Sequence, residues 1–346
     1  MVGGGVIGCA LAYALSRRGT PVLLLERDHL AAGASYGAGG MLAPQVEADR
    51  PGTLLEMGLR SRGLFPDWCS GLGGAVGLDV SGILRVVSAE HGAAELRARA
   101  AWQVAAGLQA RLCSPAECAE LCPGLAAPVL GLWVPDGQID ALRLTLALAE
   151  AAARQGTEIR EGVTVTGLRD GAVDTTAGPM TADTVVLAAG AWSGLVAPIP
   201  VAPIKGQRLM LRHTGRPLPL TLWSDGCYLV PKPGGRILVG GTEEPGAGFD
   251  RRVTAAAVAT LAAAAAATLP ALAAAEVQEC WAGLRPGTPD HLPLLGRLPG
   301  AQRTWLATGH YRNGILLAPL TAQLMAAAIL DGASLPAACA PDRFTT

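Results

Sequence analysis

At 346 residues, half of them apolar and 16% charged, the chain has the length for two domains and the material for a large buried core. The formal net charge is −1 with Lys and Arg scattered along the chain, which argues against nucleic acid as a partner; seven Trp, four Tyr and three Phe suggest no base-stacking platform. The first residues are glycines rather than a basic segment followed by an apolar run, so a cytoplasmic protein without a secretory signal is expected.

In chain order, a glycine turn leads into a helix over 6–18 and a strand over 22–25, the later part of a βαβ unit. Short strand-like runs (82–87) and a helix over 93–110 follow, then a helix over 141–155, a segment over 158–165 and a buried strand over 184–189. From 201 to 241 the pattern changes to alternating strands (207–212, 226–231, 236–240) broken by Pro and Gly, the mark of a half-buried antiparallel sheet. An Ala-rich stretch over 253–272 resembles a membrane span by composition. Arg251 and Arg252 abut it, Pro270 breaks it and Thr254 suits a cap, so a helix within the fold is expected and no stable membrane insertion. A strand over 304–307, a glycine-containing turn and a helix to about 330 close the chain, whose last residues, Phe344-Thr345-Thr346, carry no peroxisomal signal.

The eight cysteines include Cys113, Cys118 and Cys122, which lack a short C-x-x-C pair and a nearby His; buried free thiols are expected rather than a metal site or disulfides.

Gly3, Gly5 and Gly8 form G-x-G-x-x-G. Such a turn lets backbone approach a pyrophosphate closely, with N–H groups at a helix N-terminus pointing at the anion. Glu26, 23 residues after Gly3, ends the next strand, where an acid accepts hydrogen bonds from ribose hydroxyls. The run from Ala32 to Pro44 is rich in small residues and can lie flat along an extended cofactor, which suits a flavin better than a nicotinamide. One feature conflicts with this reading. Only Met1 and Val2 precede Gly3, so the central parallel strand is expected to be truncated, its neighbours' edges exposed and the turn weakened; a natural start several residues earlier is the expectation.

These residues, with V-V-L-A-A-G-A-W-S (185–193), W-A-G-L-R-P-G-T-P-D (281–290) and G-H-Y-R-N-G-I-L-L-A-P (309–319), resemble the D-amino-acid oxidase superfamily, the last two most closely its glycine oxidases of thiamine biosynthesis. The resemblance spans essentially the whole chain. It implies a p-hydroxybenzoate-hydroxylase-like fold, α/β and α+β: a discontinuous Rossmann-like FAD-binding domain (1–70, 138–200, 284–346) and an antiparallel-sheet substrate domain (71–137, 201–283). It implies noncovalent FAD held by Gly3, Gly5, Val6, Ile7 and Gly8 at the pyrophosphate, by Glu26, Arg27 and Val165 at the adenosine, and by Ala34, Ser35, Gly39, Gly40 and Met41 toward the flavin. Gly190 and the turn His310, Tyr311, Arg312, Asn313, Gly314, Ile315 and Leu316 complete the set.

The implied reaction is oxidation of glycine or another small amino acid or amine by hydride transfer, with O2 regenerating the flavin and releasing H2O2. Sarcosine or D-amino-acid oxidation, or a dehydrogenase feeding a quinone, is the alternative, and association of identical chains is expected from the resemblance alone. Arg285, in a turn rich in Gly and Pro, resembles the family's carboxylate anchor, Tyr228 adds a hydroxyl, and Arg312 lies near substrate and flavin. His310 reads as a packing residue rather than a base, and the N–H groups near Gly314–Leu316 suit the charge of a reduced flavin.

Overall fold

The computed structural model describes residues 1–74 and 76–344; Ala75 and Thr345–Thr346, which belong to the expected domain ranges and the C-terminal tripeptide, lie outside the described residues.

Strand Leu23–Leu25 pairs in parallel with Glu158–Arg160 on one side. On its other side Val2 forms parallel bridges to both Leu25 and Leu187. Strand Val185–Leu187 continues in parallel to Thr304–Thr308, which pairs antiparallel with Leu294–Arg297. The segment before the glycine turn is therefore as short as the sequence indicates, but the exposed edges expected from it are absent at this position. Val2 N–H donates to the Val186 carbonyl (2.9 Å), Ala188 N–H to Val2 (2.8 Å), Leu25 N–H to Met1 (2.9 Å) and Gly3 N–H to Leu25 (2.8 Å). The flanking strands are only three residues long, so a stub this short satisfies both of them.

One face of this sheet is covered by the helices Val6–Ser16, Ala141–Arg154 and Gly314–Asp331, whose apolar side chains form the largest core. Asp140 caps the second of these, its carboxylate accepting from Arg143 N–H (3.0 Å). A further helix, Thr53–Gly71, packs on the last. Its sequence conceals it, because Gly58, Gly63 and Pro66 interrupt the pattern a helix normally shows. Gly58 is used: a side chain there would press on Pro44 and Leu316. Helix Gly314–Asp331 is the one described helix long and apolar enough to cross a membrane, yet most of it is buried inside the molecule.

The second sheet has eight strands in the order Glu276–Gly287, Ala202–Arg212, Arg236–Gly240, Tyr228–Lys232, Thr221–Trp223, Ile83–Val87, Leu130–Val134 and Arg111–Cys113. Every pairing is antiparallel except Thr221–Trp223 with Ile83–Val87. Helix Ala255–Thr268, capped by Thr254 Oγ1 accepting from Ala257 N–H (3.3 Å), covers one face over a core that includes Cys113, Cys118 and Cys122. All eight cysteines are free; Cys280 is exposed and Cys69 half-buried, so the expectation of buried thiols fails at those two.

Three other expectations are corrected. The segment over 158–165 divides into Glu158–Arg160 and a separate strand, Val165–Arg169, that opens a small antiparallel sheet. The helix over 93–110 runs instead from Glu90 to Ala105. Arg285 sits within the long strand Glu276–Gly287, not in a turn, because ladder pairing with Ala202–Arg212 overrides the Pro and Gly around it.

Phe65, 1% exposed, anchors helix Thr53–Gly71 in the main core. Phe65→Ala should cost about 3–5 kcal/mol of stability, read by denaturant unfolding of the purified protein; a loss below ~1 kcal/mol would contradict this packing role.

Candidate functional site

The glycine turn is shaped by two close approaches. At Gly3 (φ +108°) a Cβ would lie 2.5 Å from the Ala188 carbonyl oxygen, and at Gly8 1.9 Å from that of Gly3, so the first helical turn rests directly on the bridge strand. The carboxylate of Glu26 accepts from Gly4 N–H (2.7 Å) and from Asp28 N–H (2.9 Å), which pins it beside the turn. Ser35 Oγ accepts from Val6 N–H (2.9 Å), bringing the small-residue segment to the helix N-terminus. Arg27 lies over the Trp192 ring, 4.1 Å from its centroid.

From this turn a single cavity of about 440 Å³ runs to the second sheet. Near the turn it is lined by Gly3, Gly5, Val6, Ile7, Glu26, Arg27 and Val165; along its wall by Ala34, Ser35, Gly39, Gly40, Met41 and Gly190; and at the sheet by Tyr228, Arg285, His310, Tyr311, Arg312, Gly314 and Ile315. The structure thus brings together nearly all the residues singled out from the sequence. Gly8, Asn313 and Leu316 do not line it. Gly8 faces the Gly3 carbonyl, Asn313 is the N-cap position of helix Gly314–Asp331, and Leu316 points into the main core.

At the sheet end, side chains are seated where a strand neighbour is glycine. The Arg285 guanidinium lies over Gly206, where a Cβ would be 2.4 Å from Nη1, and the Tyr228 ring lies over Gly240, where a Cβ would be 2.0 Å from it. Arg285 is buried and donates to the Lys205 carbonyl (3.3 Å) and the Thr242 carbonyl (3.1 Å). Lys205 pairs in turn with Asp250 (3.2 Å) and Glu244 (3.7 Å). Arg312 lies between Glu47 (3.5 Å) and Glu243 (3.7 Å) and over the Trp223 ring. Burial raises the Glu47 carboxyl above its ordinary range, against the pull of Arg312 and Arg285.

Tyr311 holds a left-handed backbone (φ +48°), its N–H donating to Pro286 (2.9 Å) and its ring stacked on His291 at 4.4 Å. Burial and the neighbouring Glu243 push its hydroxyl up to about 12. His310 Nε2 meets Thr321 Oγ1 at 3.0 Å in a fully enclosed position, and burial lowers its pKa to about 3.

Sequence reasoning missed Glu47, Trp192 and Arg208, all of which line the cavity, and Glu243, which pairs with Arg312. Arg208 stands two residues beyond Gly206 on one strand, a period-2 signal that becomes readable only once the inward face is known.

A family model described as FAD dependent oxidoreductase matches residues 1–328. The chain belongs to this family. It is 38% identical over 343 residues to the glycine oxidase of Geobacillus kaustophilus (strain HTA426), covering 94% of this chain and 91% of that protein. The crystal structure of glycine oxidase from Geobacillus kaustophilus superposes with a TM-score of 0.95 at 36% identity, covering 100% of this chain and 98% of that one. A bifunctional protein ThiO/ThiG of Synechocystis sp. (strain ATCC 27184 / PCC 6803 / Kazusa) is 39% identical over 367 residues, covering 100% of this chain but 54% of that protein.

The residues present fit FAD. The side-chain-free turn at a helix N-terminus suits a pyrophosphate, Glu26 stands at its edge for ribose hydroxyls, and the wall formed by Ala34, Ser35, Ala38, Gly39, Gly40 and Met41 offers only small or flexible side chains.

The depressed pKa of His310 has a consequence for stability. The folded protein holds it neutral, so this contribution is complete above its ordinary value near 6.5 and is lost as pH falls toward 3, at up to ~1.4 kcal/mol per pH unit. His310→Gln should flatten the acid limb of a stability–pH profile between those values; an unchanged slope would show that His310 does not titrate this way.

Proposed function

We propose that this chain oxidises a small amino acid or amine at the carbon bearing nitrogen, with glycine as the leading substrate. The observation that supports it is the placement of Arg285 and Tyr228 side by side in the same cavity as the Gly3–Gly8 turn. When bound, FAD supplies the hydride acceptor and returns its electrons to O2, giving H2O2. On this reading 1–70, 138–200 and 284–346 hold the cofactor, noncovalently, and 71–137 and 201–283 shape the substrate end.

Arg285 would grip the substrate carboxylate through its planar fork. Two backbone carbonyls already orient the guanidinium, so little freedom is lost on binding. The Tyr228 hydroxyl adds a second hydrogen bond to the same group. Arg312 is neutralised by Glu47 and Glu243 and serves to border the site rather than to carry free charge. A substrate ammonium beside Arg208 and Arg285 is disfavoured, which promotes loss of its proton to water and leaves the neutral amine that oxidation requires. No side chain is needed as the base, and His310, engaged by Thr321, is not one. The first-turn N–H groups of helix Gly314–Asp331 favour negative charge beside Gly314 and Ile315. Catalysis by the protein is then mostly positioning. The imine product hydrolyses or enters thiazole synthesis for thiamine, in the cytoplasm.

Anaerobic mixing of the holoenzyme with glycine, sarcosine, D-alanine and D-proline should bleach the flavin absorbance, and air should then release peroxide; bleaching by none of them would overturn the reading. Acid precipitation should release all the yellow colour. Arg285→Ala should lower kcat/KM about 100-fold, mainly through KM, corresponding to ~3 kcal/mol of lost anchoring. Near-unchanged kinetics would remove Arg285 from this role.

A further inference from the structure

Among the described residues, Arg208 is a cation in the cavity without a counter-group. Arg208 lies on strand Ala202–Arg212, in register with Gly240 on one side and Trp281 on the other. It lines the cavity and is 6% exposed, and among the described residues its Nε and Nη1 have no hydrogen-bond partner. The indole Nε1 of Trp281, its register neighbour, is also without an acceptor. The other cations nearby are all satisfied: Arg285 by two carbonyls, Arg312 by two carboxylates and Lys205 by Asp250 and Glu244.

The charged groups that act on Arg208 deepen the contrast. Arg285 and Arg312 carry its own sign, Tyr228 brings a hydroxyl and no carboxylate, and Lys232, which also feels Arg208, is tied to Gln138 and the Ile139 carbonyl. A guanidinium does not shed its proton to escape burial. Leaving one buried and unpaired is unfavourable unless an anion completes it.

We propose that Arg208 forms a second anion subsite in the cavity, so that the site takes small amines carrying two acidic groups alongside glycine. This rests on the amine-oxidation reading above and adds a substrate class to it. The Arg285 guanidinium lies over Gly206, two residues before Arg208 on the same strand face, and both arginines line the cavity. A short amine with a carboxylate at each end, such as N-(carboxymethyl)glycine or D-aspartate, supplies one anion to each guanidinium. Arg285 takes the carboxylate next to the reacting carbon and Arg208 the remote one.

The test uses the FAD-loaded enzyme and separates binding from turnover. Succinate and succinamate, close in size and differing in one carboxylate, are titrated while the flavin absorbance is followed. Succinate should bind roughly 10-fold or more tighter, and Arg208→Gln should erase the difference while Arg208→Lys keeps most of it. In kinetics, the ratio of kcat/KM for N-(carboxymethyl)glycine to that for glycine should fall roughly 10–100-fold in Arg208→Gln. Equal affinity of the wild-type enzyme for the two probes overturns the proposal, whether or not any amine is oxidised and whether or not the variants fold. A loss of FAD affinity in Arg208→Gln with the probe difference intact also overturns it, since the guanidinium would then serve the cofactor. Probe discrimination without oxidation of any amine would leave the subsite standing and sink the oxidase reading instead.

Discussion

The backbone hydrogen bonds of Met1, Val2 and Gly3 are the constraint on which the rest of the structure depends. They join strand Leu23–Leu25 to Val185–Leu187, segments far apart in sequence, into one parallel sheet. They also set the height of the Gly3 carbonyl, against which the helix Val6–Ser16 packs at Gly8. That contact leaves no room for a methyl group, and it places the helix N-terminus, Glu26 and Ser35 around one point. Because buried polar backbone must be paired, a stub of strand here is worth more than its length suggests.

The second sheet contributes charge rather than backbone. Its inward face presents Arg208, Arg285 and the Tyr228 ring, the last two each beside a glycine that leaves room for it. Arg312, from the turn before the last helix, joins them with Glu47 and Glu243 as its counter-charges. The cavity is therefore apolar and small-walled along one stretch and cationic at its sheet end. This polarity suits an elongated cofactor whose reactive end meets an anionic substrate.

Much of this was legible from residues alone, and unevenly. The helices 6–18 and 141–155 and the strands of the antiparallel sheet followed from periodicity, with ends shifted by a few residues. Helix Thr53–Gly71 was hidden because Gly58, Gly63 and Pro66 are poor helix formers that tertiary packing nonetheless accommodates. Arg285 was singled out but placed in a turn, since Pro286 and Gly287 mask the pairing with Ile204 and its neighbours.

What the sequence by itself determined were features whose physics is local: the G-x-G-x-x-G turn, Glu26 at the end of the next strand, the small-residue run and the G-H-Y-R-N-G-I turn. Each requires particular residue types within a few positions, so the pattern survives without coordinates. Only the tertiary structure decided which charges face one another. Arg208 and Arg285 share a sheet face, Glu47 reaches Arg312 from the other end of the chain, and His310 is closed off beside Thr321. Such relations depend on which side of a strand points inward and on what a remote segment places opposite, and neither is written in the spacing of residues along the chain.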